Sequence, residues 1–204
     1  MTWLGRLSPH ALVPVMVVIW FVADAVQRAV PVSLAWAILD EIGHAAVAVA
    51  CAAWLVPSWG YGPVIVAIMG ATAIDVDHAV VARSLAPGRM MSLGARPMSH
   101  SLAGALTIAL CVGLVGGPRR GYAAALGTVT HVLGDARAFP GVPLLFPALA
   151  NAHVILPSWS LWAATIVLAA VNAAIARLGD ARGSCGPRAR HPTAARPRRR
   201  EVAD

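Results

Sequence analysis

Residues 32–56 read VSLAWAILDEIGHAAVAVACAAWLV, an apolar stretch interrupted only by Asp40, Glu41 and His44 and closed off by Pro31 and Pro57. A bilayer hydrocarbon core of about 30 Å takes about 20 helical residues. Trp36 and Trp54 lie eighteen residues apart. At 1.5 Å per residue that is roughly 27 Å, the separation of two interfacial aromatic anchors. The stretch predicts a transmembrane helix.

The same ruler, carried outward in both directions, predicts an all-α polytopic bundle of about six spans, near 9–26, 32–56, 62–82, 100–117, 121–136 and 157–176. Pro, Gly and Arg punctuation such as VPSWGYGP and GGPRRG separates them, and the short fifth span has a partly re-entrant alternative. Composition agrees. Of the 204 residues, 58% are hydrophobic and only 12% charged, with a mean hydropathy of +0.70. A soluble domain carries about 25% charged residues, so a soluble enzyme, a disordered chain, a collagen-like rod and a secreted disulfide scaffold are all excluded.

Three regions follow. Residues 1–31 form an N-terminal anchor span, whose Arg6, apolar run and ADA triplet at 23–25 also fit a signal peptide; a retained anchor is the expectation. Residues 32–176 form the membrane-embedded domain. Residues 177–204 are an Arg/Pro/Ala-rich tail expected to be disordered. The net charge of +7 comes from sixteen arginines, no lysine and nine acids; eight of those arginines sit in the tail, which accounts for +5. Such a tail suits anionic lipid headgroups, at about 1 kcal/mol per residue near the surface; nucleic acid is the weaker fit. Cys51, Cys111 and Cys185 have no metal-type or paired spacing, and no role is assigned to them.

Counting arginines on alternate loops puts Arg6, Arg119, Arg120 and the tail on one side, eleven in all, against Arg28, Arg83, Arg89, Arg96 and Arg137 on the other. The tail is therefore expected in the cytoplasm. Without it the count reverses.

Ionisable residues inside spans cost about 2.5 to 3.5 kcal/mol each on insertion scales and are functional candidates by default. Four helices carry them here. Asp40 and Glu41 precede His44 by about one turn; IDVDH brings Asp75, Asp77 and His78; RPMSHSL brings His100; HVLGD places His131 and Asp135 on one face. In an up-and-down arrangement all four groups reach the same half of the bilayer, whichever way the chain is inserted, so a water-accessible site is expected there. Imidazole with carboxylate suits a divalent transition metal, zinc first, with manganese or iron as alternatives. Four His and several acids leave room for one ion with oriented second ligands or for two ions. A single membrane histidine is more often a helix–helix hydrogen-bond partner, so the joint pattern carries the weight; His10 and His191 are read as structural, and His153 is left open.

GH at 43–44, IDVDH at 74–78, RPMSHS at 96–101 and GTVTHVLGDARAFPGVPLLFP at 127–147 resemble, in the same order, the YdjM-like family of inner-membrane proteins described as metal-dependent hydrolases. The resemblance implies that His44, Asp75, Asp77, His78, His100, His131 and Asp135 are the metal-site residues, in agreement with the helix-face argument. Three features depart from the family pattern: Ile74 where a Pro is usual, Ala95 for the first His and Pro97 for the Gly of the following loop. The segment before about residue 35 is an extension. Position 95 thus offers no imidazole for a second metal or a proton donor.

The leading expectation is a membrane hydrolase acting on a lipid-linked or amphipathic ester, a phosphoester by preference. Asp77 or Glu41 would be the base, and Arg96, with Arg83 and Arg89, a phosphate clamp. The site is expected in the extracytoplasmic half of a bacterial-type inner membrane. The alternatives are a metal-ion or proton transporter using the same residues, and a non-catalytic sensor or scaffold that binds a partner through its tail.

Overall fold

Proline and glycine set the helix boundaries. In the computed structural model, which describes residues 8–149 and 152–184, α1 (Pro9–Ala29) opens on Pro9. Next comes α2 (Leu34–Trp59), capped by Ser33 and tightened by a 3₁₀ turn at Ala53–Leu55. In α3 (Gly62–Ala82) a second 3₁₀ turn, Ala73–Asp75, takes in the first acid of the IDVDH motif. That helix stops at Arg83 in the left-handed region (φ 49°). A short α4 (Pro87–Met91) leads to α5 (Leu102–Gly116), capped by Ser101. Gly117, at φ 87°, makes the turn into α6 (Pro118–Asp135), and α7 (Ser160–Ser184) follows a long loop. Among the described residues there is no strand, only an isolated antiparallel bridge between Val142 and Val154.

Each predicted span has a helix at its place, and α1, α2, α3 and α7 are long and apolar enough to cross a membrane. The other two differ for a physical reason. At fifteen residues α5 rises about 22 Å, less than the hydrocarbon thickness. Helix α6 is long enough but far more polar, and it sits in the middle, packed against α2, α3, α5 and α7. Protein surrounds it, so it has little need of an apolar surface. Outward-facing Ile65, Met69, Val80, Leu106, Leu110, Leu114, Ile166 and Val167 form the apolar coat around it.

The centre is built by close approach of small residues. A Cβ on Gly127 of α6 would lie 2.0 Å from the carbonyl oxygen of Ala67 on α3, and one on Gly70 would lie 2.9 Å from that of Ala124. In lipid, where helices gain little from hydrophobic exclusion, such contacts bring backbones together. Cys51, Ala52, Val64, Ala67, Ala123 and Leu126 join α2, α3 and α6, while Trp20, Ala46, Val47 and Leu161 join α1, α2 and α7. A polar link ties the bundle away from the acidic motifs: Tyr122 Oη donates to Asn172 Oδ1 at 2.6 Å, and Asn172 Nδ2 donates to the Cys51 carbonyl at 2.8 Å.

One sequence expectation is refined, and two features gain a structural account. Helix α7 continues to Ser184, so the first eight residues of the predicted tail are helical, and the remainder of the tail, with His191 and Cys185, lies outside the described residues. Cys51 is buried, whereas Cys111 is exposed on α5. The GVPLLFP segment acquires a structural purpose: Val142 is buried with Ile74, Val132 and Ala136, and the Leu144 carbonyl accepts from Leu102 N at 3.1 Å. It braces the start of α5, where His100 lies.

Candidate metal centre

Local backbone chemistry aims the side chains. Asp75, at the end of the 3₁₀ turn Ala73–Asp75, and His78, one turn on, share a face of α3, with His78 Nδ1 3.2 Å from Asp75 Oδ1. His100 immediately precedes the cap of α5, held by Ser101 Oγ accepting from Gly104 N at 3.1 Å, and is fully buried. His131 and Asp135, one turn apart on α6, point the same way. His44 enters from α2, its ring stacked on that of His131 with centroids 3.9 Å apart.

The result is a tight group of four ligand atoms. His100 Nε2 lies 3.0 Å from Asp75 Oδ1 and 3.4 Å from Asp135 Oδ2, while His131 Nε2 lies 3.2 Å from each of those oxygens and 3.2 Å from His100 Nε2. Ligand atoms on a tetrahedral ion with bonds of about 2.0–2.1 Å are spaced by about 3.3 Å. Five of the six edges of such a tetrahedron are therefore present. All four residues are buried.

Proton accounting favours a cation at their centre. His131 Nδ1 lies 2.6 Å from the Ala71 carbonyl and so carries the hydrogen, which leaves Nε2 presenting a lone pair to two carboxylate oxygens. Two carboxylates with neutral imidazoles, offset in part by Arg96 on Asp135, leave net negative charge that a cation would balance. Seven buried side-chain polar atoms among the described residues lack an aligned hydrogen bond, and six belong to this neighbourhood: Glu41 Oε2, Asp77 Oδ1, His78 Nδ1, Arg96 Nε, His100 Nδ1 and Asp135 Oδ2. Several of them lie against charged neighbours without an aligned hydrogen bond, and their concentration here fits a place that could take a ligand.

The remaining predicted residues stand around this group. Asp77 Oδ2 lies 3.3 Å from His100 Nδ1, behind the ring, and its Oδ1 lies 3.1 Å from His78 Nδ1. Ser99 Oγ donates to Asp77. Carboxylates behind ligand imidazoles fix their orientation and tautomer. Glu41 is beside Asp75. His44 Nε2 is 3.5 Å from Asp135 Oδ1 and 3.8 Å from Asp40 Oδ1. Two further groups are spaced to hold an ion, Asp77 with His78 and His100, and Asp40 with His44 and Asp135.

Of the three loop arginines, only Arg96 reaches the centre, its Nη1 2.6 Å from Asp135 Oδ2; Arg83 and Arg89 are exposed and away from it. His10 packs edge-on against Trp54, as expected of a structural residue, and His153 stays outside the cluster. Ala95 lines a second cavity of about 200 Å³ with His78 and Arg96, where an imidazole would have had room.

Sequence reasoning missed several contributors. A cavity of about 340 Å³ adjoins His44 and Asp135, and its walls include Trp20 and Gln27 from α1 and Arg137 from the loop after α6. Gln27 Nε2 donates to Asp40 Oδ1 at 2.9 Å. Arg28, ion-paired with Asp24, stands at the rim. The one available signal was the one-turn spacing of Asp24 and Arg28 at the end of an apolar helix. No curated protein and no solved structure matches the chain. The family model for the YdjM inner membrane protein does, over residues 39–195, which takes in every residue of the metal-spaced groups. The chain belongs to the YdjM inner membrane protein family.

Proposed function

We propose that this protein is a membrane-embedded, metal-dependent hydrolase acting on a lipid-linked or amphipathic phosphoester. The tetrahedral spacing of Asp75, His100, His131 and Asp135 carries the reading. These four would hold a divalent transition ion, zinc by the donor set, with manganese or iron as alternatives, and Asp40, His44 and Asp135 offer a place for a second. Such an ion, when bound, lowers the pKa of a coordinated water to roughly 7 and polarises a phosphoryl oxygen.

The protein's own groups do the rest. Asp77 and Ser99 hold His100 and His78 in orientation. Glu41, beside Asp75, or Asp77, behind His100, supplies the carboxylate base. With a single ion bound, His44, between Asp40 and Asp135 and lining the 340 Å³ cavity, is free to pass a proton between the buried group and that cavity. Arg96 neutralises Asp135 and offers charge to an anionic substrate.

In this reading the chain makes six crossings, with the short α5 and the protein-wrapped α6 as one antiparallel pair. The arginine count puts the tail in the cytoplasm and the site in the extracytoplasmic half of the inner membrane. The candidate ligands gather toward one end of the helices, and the adjoining cavity lies at that end. This supports a hydrolase over a transporter, which needs access from both faces.

In detergent, without a gradient, the protein should hydrolyse a lipid phosphate, lose that activity to chelator and regain it with a divalent metal. Metal-dependent ion flux in proteoliposomes, lost on Asp75→Ala, would overturn the reading in favour of transport. In a Cys111→Ser background, a membrane-impermeant thiol reagent should label Cys185 only after permeabilisation. Labelling in intact cells would reverse the orientation.

A further inference from the structure

The 340 Å³ cavity beside the metal-spaced group has walls that the buried chemistry does not use. It lies between the C-terminal end of α1, the N-terminal half of α2, the end of α6 and the start of α7, with Arg28, Ala138 and Ser158 exposed at its rim. These ends share one side of the bundle, which would lie toward the lipid headgroups when α1, α2 and α7 cross a bilayer. Its volume is at the small end of ligand pockets, enough for a headgroup and not for an acyl chain.

The charges on its walls are mostly spoken for. Asp24 pairs with Arg28, Asp135 with Arg96, and Asp40 accepts from Gln27. Arg137 is different. Its Nε donates to the Gly134 carbonyl at 3.2 Å and its guanidinium lies 5.0 Å over the Trp20 ring; it feels the charges of Asp24, Asp135 and Asp40 on the cavity wall but forms no direct ion pair among the described residues. A guanidinium has five N–H donors. Arg137 therefore faces the cavity with donors to spare, held in place by an aromatic ring and a carbonyl. Arg96, on the same cavity, has its buried Nε out of any hydrogen bond. The fork of Arg137, beside an Arg96 that already pairs with Asp135 through Nη1, lines one small space with the metal-spaced group behind it and fits a tetrahedral oxyanion.

We infer that Arg137, with Arg96, binds the phosphate of a small phosphorylated headgroup, and that α1 is the wall that decides which headgroups enter. Helix α1 lies before residue 39, outside the family match. Trp20 sets the pose of Arg137 and Gln27 that of Asp40, so α1 completes the pocket beside the centre. The inference rests on the hydrolase reading of the adjoining centre and names its substrate class. The phosphate chemistry fits a lipid headgroup or a free phosphate.

The test is binding, read with metal content. The melting temperature of purified protein is followed in detergent against rising dihexanoyl phosphatidic acid, dihexanoyl phosphatidylcholine and inorganic phosphate, with bound metal measured on the same samples. Phosphatidic acid should bind best. Arg137→Gln should weaken it at least about tenfold, the scale of a lost charge-assisted hydrogen bond, and leave metal unchanged. Arg137→Lys, which keeps charge but not the fork, should fall between, and it stands in if the Gln variant does not fold. Inorganic phosphate binding as tightly, with the same Arg137 dependence, would keep the site and assign it to soluble phosphate. Equal affinity in wild type and both variants, or loss of metal in Arg137→Lys, would overturn the inference and leave the hydrolase reading standing. Arg137-dependent binding by a wild-type protein that holds no metal would retire the hydrolase reading and keep the phosphate site.

Discussion

The two ends of α6 bury polar groups in opposite ways. Toward its start, Tyr122, Asn172 and the Cys51 carbonyl form a closed chain in which donors and acceptors match, and small residues let α3 approach. Toward its end, His131 and Asp135 meet imidazoles and carboxylates from three other segments, and many of the polar atoms there lack aligned partners. The first end behaves as a finished structure, and the second is spaced so that it could hold a cation. Polar residues in a membrane bundle thus divide into those that hold helices together and those that wait for a ligand. Partner satisfaction, more than burial, separates them.

The contrast breaks most visibly at the four-atom group. His131→Ala or Asp75→Ala should remove metal and abolish hydrolysis, a loss of 100-fold or more, because each takes one corner from the tetrahedron. Elemental analysis and turnover on the same preparation check this. One shell out, Asp77→Asn keeps the shape but not the charge behind His100 and should weaken metal binding by about 10- to 100-fold, measured by competition with a chelator.

At the other end the expected pattern inverts. Asn172→Ala leaves Tyr122 and the Cys51 carbonyl without their partner and should cost about 1–3 kcal/mol, seen as a fall in thermal midpoint with metal content intact. Gly127→Ala should cost a similar amount through overpacking against Ala67, again with metal retained. A variant at this end that lost metal while keeping its midpoint would erase the distinction.

Much of the centre was legible because helical periodicity and span direction together fix which residues share a face and a depth. His44, Asp75, His78, His100, His131 and Asp135 do meet. Periodicity does not fix how each helix is turned about its own axis against its neighbours. Sequence therefore left open that Asp77 stands behind His100, that Arg96 pairs with Asp135, or that a 3₁₀ turn takes in Asp75. The role of α1 was hidden for a similar reason: Trp20, Gln27 and Asp24 look like ordinary residues of an anchor until α2 is laid beside them. Arg137 sat in a loop whose path depends on the Val142–Val154 bridge, a contact no local pattern announces. Helix α6 read as a weak span because its polarity answers to protein neighbours and not to lipid.

The central claim is that Asp75, His100, His131 and Asp135 hold one transition ion. It is tested most directly by elemental analysis and X-ray absorption of the purified wild-type protein beside His100→Ala, His131→Ala and Asn172→Ala. The account predicts about one strongly held ion per chain with nitrogen and oxygen ligands near 2.0–2.1 Å, present in the wild type and Asn172→Ala and lost from both histidine variants. A wild-type protein without metal after purification free of chelators, or full occupancy in both histidine variants, would contradict it.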